Sequence, residues 1–168
     1  VKAYRIPATE YEPEKVIAVL LEDRYGVHII DFTNALMPIQ IGKYVSDFTS
    51  TTRSGSLELA LDYPVDLNGD GKYEENEKRD LLFFAMLPYS YIYVVDITDV
   101  VEKQPVVLST PETRLIKKIK IDRLSIDYIF NMDINVRDQT LAVTDSNNGL
   151  VLLDMRISRP EDPADIRD

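Results

Sequence analysis

Residues 149–163 read GLVLLDMRISRPEDP, an apolar run that ends in Asp154 and continues through a short turn to proline. The same design occurs at 91–105, YIYVVDITDVVEKQP, with Asp96, and at 25–38, YGVHIIDFTNALMP, with Asp31. The three aspartates stand 65 and 58 residues apart. A unit that recurs at such intervals does not bury its apolar side alone, so neighbouring copies have to stack. The pattern therefore speaks to architecture more than to activity.

Two apolar runs joined by a polar turn lie ahead of each aspartate. Val16–Leu21 and Val27–Ile30 flank EDRYG, Leu81–Leu87 and Tyr91–Val95 flank the turn at 88–90, and Leu141–Thr144 and Leu150–Leu153 flank DSNNG. Rich in β-branched and aromatic residues and bounded by turn formers, each pair reads as a hairpin. The Asn148-Gly149 step suits the positive backbone dihedral of a tight turn. Leu57, Leu59, Leu61 and Tyr63 alternate with polar or small residues, the period of a half-buried strand. Gln40–Ser46 and Pro105–Ser109 are placed to add an outer strand to their units. Ile116, Ile119, Ile121, Ile126 and Ile129 fit a short helix or a bent strand equally well. Thr49–Ser56 reads as a mobile loop, and Pro160–Asp168 as an exposed tail or linker.

About four strands in roughly 40–65 residues are the proportions of a β-propeller blade. The segment 140–163, TLAVTDSNNGLVLLDMRISRPEDP, resembles the repeat of LVIVD-type β-propellers, in which a hairpin ends in an apolar run, an aspartate and a proline-terminated loop. YIYVVDITD and YGVHIIDFTN match it more loosely, and with their flanks the three copies cover most of the chain. The uneven spacing and a long acidic insertion between the first two copies depart from the pattern. The resemblance implies an extracellular or cell-surface bacterial protein without a fixed activity. The expected fold is all-β: one domain over 1–168 made of three antiparallel propeller-like blades, at about 1–47, 48–110 and 111–168, forming an incomplete ring. An irregular β-sandwich or barrel is the alternative. Because propellers typically close with four to eight blades, the expectation is that a longer propeller, further copies or another protein covers the ends.

The acidic insertion holds the one motif that carries chemistry. Residues 66–77 read DLNGDGKYEENE and satisfy the D-x-[DN]-x-[DN]-G…E spacing of a calcium loop. Asp66, Asn68 and Asp70 take positions 1, 3 and 5, and Gly71 takes position 6. Lys72 contributes through its backbone carbonyl, with Glu74 at position 9 and Glu77 at position 12 as the closing carboxylate. Calcium needs six to eight oxygens from a flexible loop, which this run is dense enough to supply. An EF-hand would need a helix on each side. Here an alternating strand ending in Pro64 precedes the loop, and Asp80 leads directly into Leu81–Leu87. That context resembles the D-x-N-x-D-G hairpin loops of integrin-type propellers, where Asp80 would close the site in place of Glu77. Structural Ca2+ in a loop spanning 66–80 is the expectation; a solvated acidic turn is the alternative.

The other conspicuous residues read as structural. Recurring at one place in each unit, Asp31, Asp96 and Asp154 suit turn capping rather than a catalytic array. His28, the only histidine, sits in an apolar run and reads as packing at a surface or blade interface. Tyr89, Tyr91 and Tyr93 share a strand face and read as core rather than as a ligand platform. Lys117, Lys118, Lys120 and Arg123 read as a solvated basic face.

Composition narrows the classes further. The 168 residues carry 45% apolar residues, enough for a sizeable core, and a net charge of −10. That charge disfavours nucleic acid and anionic membrane surfaces and suits divalent or cationic partners. No run approaches the length of a membrane-spanning helix, so membrane insertion is not expected. With no cysteine, disulfides and thiolate chemistry are excluded. The chain opens on Val1 without a signal-like segment, which reads as a processed product or a piece of a longer chain. The resulting expectation is a non-enzymatic interaction or scaffold module, extracellular, cell-surface or periplasmic, with no catalytic residues. A carboxylate- and calcium-dependent hydrolase or lyase, and a subunit fragment of a larger complex, are the alternatives.

Overall fold

Each apolar run pairs with its neighbour in sequence, and each sheet is built from consecutive strands. The computed structural model of the protein describes residues 1–8, 10, 13–44, 51–87, 91–102, 114–120, 129–146 and 149–157. The first sheet contains β1 (Lys2–Ile6), β2 (Lys15–Glu22), β3 (Gly26–Asp31) and β4 (Ile39–Tyr44) in that order. The second contains β5 (Arg53–Pro64), β6 (Lys78–Leu87), β7 (Tyr91–Asp96) and β8 (Arg114–Lys120), with the short helix α1 (Thr98–Glu102) between its last two strands. The third contains β9 (Ile129–Asn135), β10 (Thr140–Asp145) and β11 (Gly149–Asp154). All pairings are antiparallel, so each sheet is an up-and-down meander. The fold is all-β, and none of the three sheets closes on itself.

Some boundaries differ from the sequence reading. Strand β8 pairs with β7, so the second sheet extends to Lys120 and the break near residue 110 falls too early. Residues 53–56, expected in a mobile loop, form the start of β5. The expected strand at 105–109, the turn at 88–90, Asn148 and the segment 160–168 lie outside the described residues.

Strand β6 explains why the sheets stack. Its stretch Leu81–Met86 is fully buried over six consecutive residues, although a strand points alternate side chains to opposite faces. Both faces must therefore be covered. Leu82, Phe84 and Met86 join Leu57, Leu59, Tyr93 and Val95 against Ile17, Val19, Val27, Ile29 and Ile41 of the first sheet. Leu81, Phe83 and Ala85 join Ala60, Tyr63, Ile92 and Val94 against Met132, Leu141 and Val143 of the third. The second sheet is thus the middle layer. Phe84 stacks on Tyr93 at 4.9 Å and 9°, while Tyr63 meets Phe83 edge-on at 5.6 Å. The tyrosine stripe is core packing at Tyr93; Tyr91 is half-buried, and Tyr89 lies outside the described residues.

Polar links tie the first strand of each sheet to the next. The Tyr4 hydroxyl donates to Glu58 Oε1 at 3.1 Å and accepts from the Leu59 amide at 3.0 Å, while Lys2 pairs with the same carboxylate. Burial, and then the Glu58 charge, pushes the Tyr4 phenol well above its ordinary range. On the other side, Ser56 Oγ accepts from the Met132 amide at 3.0 Å. Strands β1, β5 and β9 therefore lie side by side.

Gly55 sits where β5 shifts register against β6, and an added Cβ there would stand 2.8 Å from the Ala85 backbone oxygen. Since a backbone carbonyl inside a sheet has nowhere to move, Gly55→Ala should destabilise the protein by about 1–3 kcal/mol. Urea denaturation checks this; an unchanged midpoint would contradict the packing at that bulge.

Candidate metal centre

The loop between β5 and β6 is wound around two buried carboxylates. Asp66 and Glu77 are 2% and 5% exposed, values that charged side chains reach only when fully compensated. Asp66 Oδ1 accepts the amides of Gly69 at 2.6 Å and Asp70 at 3.1 Å, and Oδ2 accepts that of Gly71 at 2.9 Å. Gly69 and Gly71 adopt φ of +76° and +80°, the left-handed conformation that lets the chain fold back over Asp66. Glu77 Oε1 accepts from Leu67 and Asn68, each at 3.2 Å, and Oε2 accepts from Glu74 at 3.2 Å. Backbone dipoles thus neutralise both charges.

The remaining sequence-predicted ligands divide into two groups. Asn68 Oδ1 accepts from the Asp70 amide and Asp70 Oδ1 from the Lys72 amide, both at 2.8 Å, so these side chains follow Asp66 along one loop. Lys72 is exposed, its ammonium 3.9 Å from Asp70 Oδ2, and Glu74 is exposed ahead of a single 3-10 turn at Glu75–Glu77. Asp80 belongs elsewhere: its Oδ1 accepts from the Asp62 amide at 3.0 Å, where β5 bulges and Asp62 takes φ of +53°. Strand register, not the loop, sets the surroundings of Asp80. Among the described residues, no three His, Cys, Asp or Glu side chains gather as a ready metal cluster. In donor type the loop suits a hard cation: it offers carboxylate and amide oxygens, and their hydrogen bonds leave lone pairs free on Asp66, Asn68 and Asp70.

The base of the loop is anchored to the third sheet. The Asp66 amide donates to Ile157 O at 3.0 Å, Gln139 Nε2 to Pro64 O at 2.9 Å, and the buried Tyr63 hydroxyl to Met155 O at 2.9 Å. Burial holds the Tyr63 phenol well above its ordinary range. Residues 63–66 therefore join the acidic loop to the middle and third layers. Sequence reasoning missed this anchor, because its partners are 75 to 92 residues apart.

The three repeated aspartates end the third strand of their sheets. Asp31, Asp96 and Asp154 each accept, through Oδ1, the backbone amide two residues on, from Thr33, Thr98 and Arg156, at 2.7, 2.9 and 3.1 Å. In each case the residue after the aspartate donates its amide to the carbonyl beside the start of the second strand: Phe32 to Val16, Ile97 to Asp80, Met155 to Gln139. These are turn caps. His28 is half-buried on β3, with Nε2 facing Glu22 at 3.2 Å and Nδ1 3.2 Å from Gln40. Side chains of 117–123 lie outside what is described. A shallow polar cleft is lined by Glu22, Asp23, Arg24, Tyr25 and Arg53, and Asp23 there already accepts both the amide and the hydroxyl of Ser54.

Comparison with known proteins yields no match: no protein-family model, curated protein or solved structure aligns significantly with this chain. Among the described residues, no helix is long and apolar enough to cross a membrane.

Two outcomes are expected from these contacts. In chelator, Asp66→Ala should cost about 2–3 kcal/mol, because three loop amides lose the charged acceptor around which the turn is wound, whereas exposed Glu74→Ala should stay within about 0.5 kcal/mol. Equal effects in urea denaturation would contradict the placement of Asp66. The Arg156 guanidinium and amide hold the Asp154 carboxyl down to about 2. A depressed folded-state value contributes stability above the ordinary carboxylate range, lost as pH falls toward 2. Carboxyl NMR titration should find that low midpoint, and Arg156→Gln should raise it; no movement would contradict the pair.

Proposed function

We propose that this chain is a non-enzymatic interaction or scaffold module of β-propeller type, whose 66–80 segment holds a structural calcium ion. One observation carries the reading: three meanders stacked in chain order, with β1, β5 and β9 side by side and an aspartate cap ending the third strand of each. Propeller blades have this build, with first strands toward a common axis and faces packed on their neighbours. The likeness of 25–38, 91–105 and 149–163 to LVIVD-type repeats supports the same reading.

Calcium suits this architecture because the loop that would hold it is anchored to the third layer. Asp66, Asn68 and Asp70 supply side-chain oxygens, Lys72 its carbonyl, and Glu74 and Glu77 the later carboxylates, with Asp80 engaged at the Asp62 bulge. Bound there, calcium would supply charge neutralisation for a segment crowded with carboxylates and so tighten residues 63–66 against Ile157. Calcium outside the cytoplasm is abundant enough to fill a weak loop, which favours an extracellular, cell-surface or periplasmic setting.

Calorimetric titration with calcium, paired with thermal melting, tests this. At free calcium about 100-fold above Kd the fold should gain about 2.7 kcal/mol. Asp70→Ala, an exposed ligand position, should remove both the heat of binding and the melting shift while leaving the calcium-free melting temperature nearly unchanged. Identical melting curves in calcium and in chelator would reject the calcium reading.

A further inference from the structure

The two glycines that let the acidic loop fold back over Asp66 also make it chemically labile. Gly69 and Gly71 take φ of +76° and +80°, and an added Cβ at Gly71 would meet nothing within 4 Å. Backbone conformation, not space, therefore requires glycine there. Each glycine follows a residue whose side chain carries a carbonyl carbon at Cγ: Asn68 before Gly69, Asp70 before Gly71. In such pairs the glycine nitrogen, uncrowded by any Cβ of its own residue, attacks that carbon and closes a succinimide ring. Burial does not prevent this, because residues 68–71 are all exposed.

Hydrogen bonds hold both steps shut instead. The Gly69 amide donates to Asp66 Oδ1 at 2.6 Å and the Gly71 amide to Asp66 Oδ2 at 2.9 Å. The two oxygens of one carboxylate thus engage both nucleophilic nitrogens. Ring closure needs the amide nitrogen to lose its proton, and a carboxylate bonded to that proton opposes the anion that would form. The electrophilic carbons are held as well. Asn68 Oδ1 accepts from the Asp70 amide and Asp70 Oδ1 from the Lys72 amide, both at 2.8 Å. Each side-chain carbonyl is therefore tied to the residue two positions on and is not free to rotate onto the glycine nitrogen. Asp66 is itself 2% exposed, and its amide donates to Ile157 O at 3.0 Å, so the lock is fixed to the third sheet.

We infer that Asn68 is a modification site, converted to aspartate or isoaspartate when the loop opens, with Asp66 as the gate; Asp70 isomerises by the same route. In the first step Gly69 N bonds to Asn68 Cγ, its proton passes through solvent to the side-chain nitrogen, and ammonia leaves. Water then opens the ring. Cleavage between N and Cγ leaves aspartate, whereas cleavage between N and the Asn68 carbonyl carbon leaves the chain running through Cγ, as isoaspartate. At Asp70 closure expels water and reopening takes it back, so the mass does not change. Isoaspartate at 68 puts an extra carbon in the backbone between Asp66 and Gly69, which takes the glycine amides out of register with their acceptor. Loss of ammonia makes the Asn68 conversion one-way. None of this depends on the calcium reading.

Incubation of the whole chain in mildly alkaline buffer with chelator, followed by peptide mass spectrometry and isoaspartate detection at 68 and 70, tests the inference. A loop-opening free energy of about 1.4 kcal/mol slows a reaction through the open state about tenfold, so native wild type should convert Asn68 at least about tenfold more slowly than the urea-unfolded chain. Asp66→Ala should bring the folded protein close to the unfolded rate. Asp66→Asn, which keeps an acceptor but not the charge, should lie between, and it carries the comparison if circular dichroism shows Asp66→Ala unfolded. Gly55→Ala, which lowers stability away from the loop, should leave the Asn68 rate at the wild-type value. Native wild type converting as fast as the unfolded chain, a folded Asp66 variant as slow as wild type, or Gly55→Ala accelerating conversion as much as the Asp66 variants would each overturn the proposal.

Discussion

A strand buried on both faces holds this molecule together. Leu81–Met86 in β6 alternates its side chains between two clusters, one shared with the first sheet and one with the third. Fully burying a large apolar side chain stabilises by roughly 1.5–3 kcal/mol, and β6 contributes five such residues plus Ala85. Removing either outer layer would expose half of them to water. The outer sheets depend on the middle one in turn, because each has an apolar face that would otherwise meet water.

Polar contacts then fix how the layers sit. Tyr4 and Lys2 reach Glu58 from β1, Ser56 receives the Met132 amide from β9, and residues 63–66 grip Gln139, Met155 and Ile157. The last set makes the acidic loop more than a surface excursion. A ligand that stiffened the loop would also stiffen a seam between two layers, at a distance from its own contacts. The same economy appears in Asp31, Asp96 and Asp154, whose side chains stop a strand and turn the chain.

The sheets were largely legible in the sequence because hairpin runs, turn residues and recurring aspartates are local signals. Strand β1 was not: KAYRI offers only Tyr4 and Ile6 to the interior, too brief a pattern to stand out. Residues 53–56 looked like a loop because Ser and Gly are poor strand formers, yet Gly55 is needed where Ala85 comes close and Ser56 where a hydroxyl must bridge two sheets. The break between the second and third units was misjudged because β8 is claimed by β7, a long-range pairing that composition does not encode. Within the loop, the Asp66, Asn68 and Asp70 spacing translated into one continuous turn system. Asp80 did not join it, since its position follows from strand register and from the Asp62 bulge. The Glu58 cluster had no sequence signal, its members being 54 to 56 residues apart.

Native-state hydrogen exchange at the amides of Leu81–Met86 addresses the two-sided burial of β6 most directly. If both faces are covered, these amides open only through global unfolding and exchange more slowly than those of β4 and β11 at the sheet margins. Exchange of the β6 amides as fast as at those margins, or at a rate unaffected by global destabilisation, would contradict a middle layer held from both sides.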